Sequence, residues 1–410
     1  MRRLLFTATA LLLPHGLSAE PGLPSADAVT AALDAHPSVM AAQSRIAAAD
    51  AAAGALARGS HEIVVSGSYI RRSVDREGGF DEYDAQATRA LRLPGKARLD
   101  REIGAFGLAV ARNNAEDVRH QAARLLSDIW WEWLGAAEEA RVDRQAVENY
   151  RKLLEAVRLR VSQHDAAQLE ADQAEALLGS ARLAAEQSEG RENVARSRLA
   201  AQFPTLPLDV DPPAVPRPVL PEKGLEMLAG LVIERSHEIA AADALAGRAS
   251  ASASRARAER IADPSLGVRA FSERDGAERG AGLMLSIPLG GGHRKAIADQ
   301  AEAEAVAARA EAGATRFAVE EMARTDEAEA RFRLAAWQRA REGLDAQVAA
   351  LGKLRLGYRS GEVDLADELL GERQVHDAFR AEAQARTEAM RALTRMRIDS
   401  HELWIGEETP

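Results

Sequence analysis

Cysteine is absent from all 410 residues, which excludes disulfides, thiolate metal sites, thiol nucleophiles and a lipid-bearing cysteine at a mature amino terminus. Aromatic residues amount to only 4% while 46% of the chain is hydrophobic, so the apolar content is carried by small and aliphatic side chains suited to closely packed helices. No uninterrupted apolar run past the first residues approaches the roughly 18 to 20 needed for a membrane-spanning helix. Basic tracts are also missing. With a formal net charge of -10, that argues against nucleic acid as a partner, because phosphate binding needs clustered Lys and Arg.

Catalytic patterns are equally scarce. The nine histidines are dispersed, and neither an HExxH pair nor a Gly-x-Ser-x-Gly elbow is present. Gly290 to Gly292 precede His293-Arg294-Lys295, but Ala296 follows where a phosphate loop requires Ser or Thr. His164-Asp165 and His376-Asp377 are sequence neighbours that a helix points in different directions. The expectation is a chain that is not an enzyme, with no cofactor and no metal site.

What is present begins with Met1-Arg2-Arg3, an apolar run from Leu4 to Leu13, and the small pair Ser18-Ala19, the grammar of a secretory signal peptide over residues 1–19. Proline organises the remainder. Seven of the fifteen prolines lie between Pro204 and Pro221, which reads as an extended linker over 204–223, whereas 95–203 and 289–409 contain none.

The two sides of that linker align with each other. A shift of 200 residues places His36-Pro37-Ser38-Val39 on Ser236-His237-Glu238-Ile239 and Gly67 on Gly267. A shift of 194 places Leu91-Arg92-Leu93-Pro94 on Leu285-Ser286-Ile287-Pro288, and one of 197 places Arg158-Leu159 on Arg355-Leu356. The drift is that of loop insertions in a duplication, giving a first repeat over 20–203, a second over 224–405 and a tail at 406–410.

Each repeat predicts a helix (Ala28 to Arg58; Gly224 to Arg260), two strands (62–70 and 83–93; 265–271 and 280–289), a very long helix and a closing helix. Tyr83, Ala85 and Ala87 alternate with Asp84, Gln86 and Thr88, while Leu283, Leu285 and Ile287 line one face of the last strand. That alternation suits a membrane barrel, and a soluble surface hairpin as well. The long helices, Gly95 to Val161 and Gly292 to Tyr358, would each extend roughly 100 Å, enough to bridge a periplasm. Four strands cannot close a barrel: two chains would give eight and three would give twelve.

Several local features carry the rest. Leu93-Pro94-Gly95-Lys96 and the segment from Pro288 through Gly290 read as strand-to-helix corners. Trp130, Trp131 and Trp133 cannot all face one way on a helix; packing between helices is the first reading and a partner contact the second. Gly357 to Gly361 break the second long helix, with Gly361 as a helix-ending glycine and Glu362 and Asp364 favouring the next helix's amino terminus. Asp367 sits deeper, where the dipole no longer explains it.

Taken together, the duplication, His36-Pro37, the corner at Ser286 to Lys295 and Tyr358-x-x-Gly361 with acids after it resemble the outer-membrane efflux proteins of the TolC-like family, over essentially the whole mature chain. The resemblance implies a mainly α fold with a membrane β-barrel, a homotrimer with a twelve-stranded barrel in outer-membrane lipid, and a helical tunnel through the periplasm. It implies contact with a periplasmic adaptor protein and an inner-membrane pump of RND or ABC type. It places the periplasmic gate at the turns between long and closing helices, with Tyr358 as the gate tyrosine, Asp367 as an aspartate ring, and Glu170 as the first repeat's acid. Val363 and Leu370 depart from the pattern where a gating arginine and a second aspartate would stand, and His164 takes the place of Gly361 in the first repeat. Ala262-Asp263-Pro264-Ser265-Leu266-Gly267 and the Leu93 to Lys96 corner resemble heavy-metal efflux members most. A type I secretion duct, a periplasmic adaptor and a coiled-coil scaffold are the competing readings.

Overall fold

A computed structural model describes residues 20–405; the signal-peptide segment 1–19 and the tail 406–410 lie outside the described residues. The element order is α1 (Ala26–Asp34), α2 (Pro37–Arg58), β1 (Ile63–Val74), β2 (Gly78–Ala90), α3 (Lys96–Ser162) and α4 (Gln168–Gln202). It then repeats as α5 (Leu225–Glu234), α6 (His237–Glu259), β3 (Ser265–Glu273), β4 (Glu278–Ser286), α7 (Gly292–Ser360) and α8 (Leu365–Asp399). α3 and α7 run unbroken for 67 and 69 residues, and α4 and α8 for 35 each.

Several predicted bounds shift for physical reasons. The opening helix, expected whole from Ala28 to Arg58, divides before Pro37, which lacks the N–H that would continue α1 and serves instead as the first residue of α2. Its counterpart, expected from Gly224 to Arg260, divides at Ser236, whose hydroxyl accepts the Ile239 N–H at 3.1 Å and caps α6.

The first strand runs past Ile70 to Val74, because Arg71 and Arg72 pair across to Asp81 (3.7 Å) and Glu82 (2.7 Å) and the ladder continues to Gly78. For the same reason the second begins at Gly78 rather than Tyr83. It ends at Ala90 rather than Leu93, and the last strand ends at Ser286 before Ile287, because β3, the strand between them, begins only at Ser265 after Pro264.

The described residues divide into two compact units that cut across the repeats: residues 20–36, 122–225 and 326–405 in one, 37–121 and 226–325 in the other. Among its described residues, the regular elements of the first are all helices. Its core is Leu126, Ile129, Trp131, Trp133 and Leu134 of α3, with Leu199, Phe203, Leu393 and Met396. Each such side chain contributes about 1.5–3 kcal/mol on burial. The tryptophans pack rather than protrude: Trp131 Nε1 donates to Thr394 Oγ1 at 3.1 Å, Trp130 Nε1 donates to the Gly22 carbonyl at 2.8 Å, and the Trp130 and Trp133 rings meet edge-on. Alanine at 123, 137, 140, 383 and 389, all buried, lets backbones approach closely.

The proline-rich connection is extended and anchored. Val215 is buried, its N–H donates to Glu138 Oε1 at 2.8 Å, and Arg386 donates to its carbonyl at 3.1 Å. Deeper in the same unit, Asp326 and Asp399 are buried beside each other and share Arg395 at 3.3 and 3.6 Å. Burial and the neighbouring Asp399 charge outweigh that guanidinium and push the Asp326 carboxyl up to about 6.

The second unit holds a four-stranded antiparallel sheet, order β1-β2-β3-β4, with α2, α6 and the adjoining stretches of α3 and α7. Gly104 lies so close to Ala53 that a side chain there would sit 3.0 Å from its backbone, which packs α3 tightly on α2.

Candidate channel gate and membrane sheet

The sheet has two chemically different faces. On one, the register lines up Val65, Ala87, Val268 and Leu283, then Gly67, Ala85, Ala270 and Ala281; the row at the helix end is Ile63, Arg89, Leu266 and Leu285, with Arg89 donating to the His61 carbonyl at 2.9 Å. These side chains are open to the outside: Leu283 is 83% exposed and Val65 74%. The opposite face is mixed rather than apolar: Ser66, Gln86 and Arg269 share one row, Ser68, Asp84 and Phe271 the next, and Val64, Thr88 and Met284 the row on the other side. Tyr69 pairs with Tyr83 at 5.4 Å between ring centroids where the apolar face ends, and the Arg71–Asp81 ion pair follows directly. A band of apolar side chains closed by an aromatic pair and then by charge is what lipid requires of a strand surface. Among the described residues, β1 and β4 each leave one edge without a partner.

Where strands meet helices, Gly95 and Gly290 both take positive φ, 90° and 96°, so each corner turns on a glycine just after its proline. The first corner is locked by charge. Lys96 is almost wholly buried; its Nζ donates to the Ile261 carbonyl at 2.7 Å and to Asp263 Oδ1 at 2.8 Å, and pairs with Glu259 at 3.0 Å. Asp263 also accepts the Leu93 N–H at 3.0 Å and contacts His61 Nε2 at 3.1 Å. Lys96, with those bonds, outweighs the burial of the Asp263 carboxyl and holds it down at about 2. The Asp263-Pro264 and Leu93 to Lys96 segments thus form a single anchor between a strand pair and a helix start.

At the carboxyl-terminal ends of α3 and α7 the two turns are built alike. Glu362 N–H reaches the Gly357 carbonyl (2.9 Å) and Gly361 N–H the Tyr358 carbonyl (3.1 Å), while Asp165 reaches Arg160 (2.9 Å) and His164 reaches Val161 (3.0 Å). Both are Schellman ends, and the pivot residues Gly361 and His164 have φ of 77° and 62°. His164 thus does with a side chain what Gly361 does without one. Val363 has a local task too: it lies over Gly357, where an added Cβ would fall 2.6 Å from it. Asp364 caps α8 by accepting the Asp367 N–H at 3.0 Å.

Among the predicted gate residues, Tyr358 and Glu170 come together. The Tyr358 hydroxyl faces Glu170 Oε2 at 3.5 Å, and the other Glu170 oxygen accepts the Ala167 N–H at 3.4 Å at the start of α4. The Arg160 guanidinium stands 4.8 Å from the centre of the Tyr358 ring, a contact of about 0.5–1 kcal/mol. Val157, Ala171 and Leu365 form the apolar floor, with Tyr358 packed on it. Burial raises the Tyr358 hydroxyl pKa, and the Arg160 charge opposes that rise. Asp367, expected to lie too deep for the dipole, stands in the first turn of α8, because that helix starts only at Leu365; its side chain is exposed outside this cluster, and Leu370 is exposed as well.

Two residues escaped the sequence reading. Nothing in the sequence marks Arg160. Glu368 left a trace, since it occupies an apolar position of the buried stripe Leu365, Glu368, Glu372, Val375. Burial and then the Glu372 charge raise its carboxyl pKa.

No protein-family model matches the sequence, and no curated protein matches it. Solved structures do. The outer membrane protein VceC from Vibrio cholerae shares 17% identity over 93% of this chain and 95% of that one, with a TM-score of 0.74. The Neisseria gonorrhoeae MtrE outer membrane channel in its open state shares 18% over 94% and 90%, at 0.73. The chain has an outer-membrane channel fold. The Campylobacter jejuni CmeC outer membrane channel adds 15% identity over 94% of this chain and 86% of that one, at 0.71. At such identities the shared property is the channel fold itself, including its four strands per chain and paired long helices.

Proposed function

We propose that this chain is one protomer of a trimeric outer-membrane efflux duct. The observation that carries the reading is the sheet: four strands, two unpaired edges, and one apolar face open to the outside. Lipid accepts such a face only when every edge is closed, and four strands are too few. Three copies supply twelve strands, the number the channel resemblance implies. α3 and α7 would then supply the periplasmic tunnel, with a periplasmic adaptor and an inner-membrane pump as partners.

The turns holding Tyr358, Glu170 and Asp367 are the proposed entrance. Glu170 spends its oxygens on Ala167 and Tyr358, whereas the Asp367 carboxylate is exposed, so Asp367 is the residue that sets charge along the path. Small solutes are the proposed cargo, with heavy-metal cations the class implied by the corner segments.

Fractionation and planar-bilayer conductance test the duct. The mature protein should sediment with outer membranes and form discrete conducting units; a soluble monomer would refute the reading. Asp367→Asn should lower cation selectivity of single channels, and unchanged selectivity would remove Asp367 from the entrance.

A further inference from the structure

Asp117 and His120 of α3 and Glu238 of α6 place one imidazole nitrogen and two carboxylate oxygens within 4.8 Å of one another. We propose that these three side chains bind one divalent transition-metal ion of the zinc class per chain, clamping the first turn of α6 to α3. The sequence expectation was that no metal site exists, because the histidines are scattered; the fold brings together residues more than a hundred positions apart.

Three observations support the assignment. The spacing of Asp117 and His120 puts both on one face of α3, and Glu238 meets them from the second helix, so the set is a bridge between elements. It is also partly desolvated: His120 is buried and both carboxylates are half-buried. The carboxylates are oriented from behind, Ser236 Oγ donating to Glu238 Oε2 at 2.7 Å and Gln121 Nε2 to Asp117 Oδ1 at 3.4 Å. In addition, an oxygen of the Asp117 carboxyl and one of the Glu238 carboxyl lie within 4.8 Å of each other. Two carboxylates that close repel each other, and a cation between them relieves the repulsion.

The donor set chooses the ion. Nitrogen with two oxygens suits zinc and its neighbours, whereas calcium and magnesium take six or more oxygens. Around a tetrahedral ion with bonds of about 2.1 Å the donors lie roughly 3.4 Å apart, so side-chain rotation of about 1 Å closes the set and leaves a fourth position for water. The inference stands whether or not the duct exports metals, because the clamp joins two helices of one unit.

The test uses the full chain without a histidine tag, in detergent, titrated with zinc chloride against a chromophoric chelator. One zinc per chain is expected, with affinity lowered at least tenfold in Asp117→Asn and in His120→Gln and unchanged in His376→Gln, which removes a different histidine–aspartate pair. Zinc should raise the thermal midpoint of the parent and leave that of His120→Gln unmoved, and millimolar magnesium should not displace it. Failure to bind one equivalent, or affinity equal to the parent's in both cluster variants, would overturn the proposal. If Asp117→Asn or His120→Gln loses its helix content, Glu238→Gln supplies the same readout from the other helix.

Discussion

Lys96 offers the sharpest perturbation. Lys96→Met keeps the length and apolar stem of the side chain and removes only its charge. The Ile261 carbonyl then loses its donor, and Asp263, 12% exposed at its side chain, keeps only the Leu93 N–H and His61. Breaking a buried pair costs about 3–5 kcal/mol, and the residual exposure of Asp263 and Glu259 puts this case near 3. At about 1.4 kcal/mol per decade, hydrogen exchange of residues 91–96 and 261–264 should accelerate roughly a hundredfold by mass spectrometry.

Adding Asp263→Asn should recover part of the protection, since the stranded charge disappears with its partner. The sign with pH follows from the depressed carboxyl. Held at about 2 against an ordinary 3.8, Asp263 stabilises the corner above pH ~4, and that contribution disappears as pH falls through 2. In Lys96→Met the acid sensitivity should move upward, toward pH 4. Exchange within threefold of the parent would refute the account of the corner.

Three other outcomes are expected. His164→Gly should stabilise the α3 terminus by about 1 kcal/mol, because glycine occupies a φ of 62° without the Cβ penalty; slower exchange of residues 160–166 is the check. Asp326→Asn should raise the thermal midpoint at pH 8, by about 1–2 kcal/mol in stability, and change little at pH 4.5. The raised carboxyl pKa means that the folded state loses stability as pH rises from about 4 through 6, a loss asparagine does not suffer. Tyr358→Phe should change stability by less than about 0.5 kcal/mol, since the hydroxyl–Glu170 contact is long, whereas Tyr358→Ala also removes the ring that Arg160 covers and should cost about 2 kcal/mol or more.

Local chemistry was legible wherever a residue acts through its own backbone. Gly361 announced a helix end because little else tolerates that φ, and Pro94-Gly95 announced a corner. His164 kept its meaning through alignment with Gly361, although histidine alone signals nothing of the kind. Strand ends were misjudged because they depend on partners: Arg71 and Arg72 look like loop until Asp81 and Glu82 are known to face them. Pro37 and Ser236 showed where helices start, yet unbroken helices were expected, because apolar periodicity persists across a short break. Arg160, Lys96 and the Asp117–His120–Glu238 set were the least accessible, each being defined by side chains distant in sequence.

The unpaired outer edges of β1 and β4 bear on the protein's biogenesis. A lone chain entering the bilayer would carry two rows of unsatisfied amides into hydrocarbon, each group costing several kcal/mol. Insertion of the proposed duct therefore cannot precede its assembly. The rate of appearance in the membrane should rise more steeply than linearly with the periplasmic concentration of newly exported chains, and at low expression those chains would accumulate as clients of periplasmic chaperones and proteases.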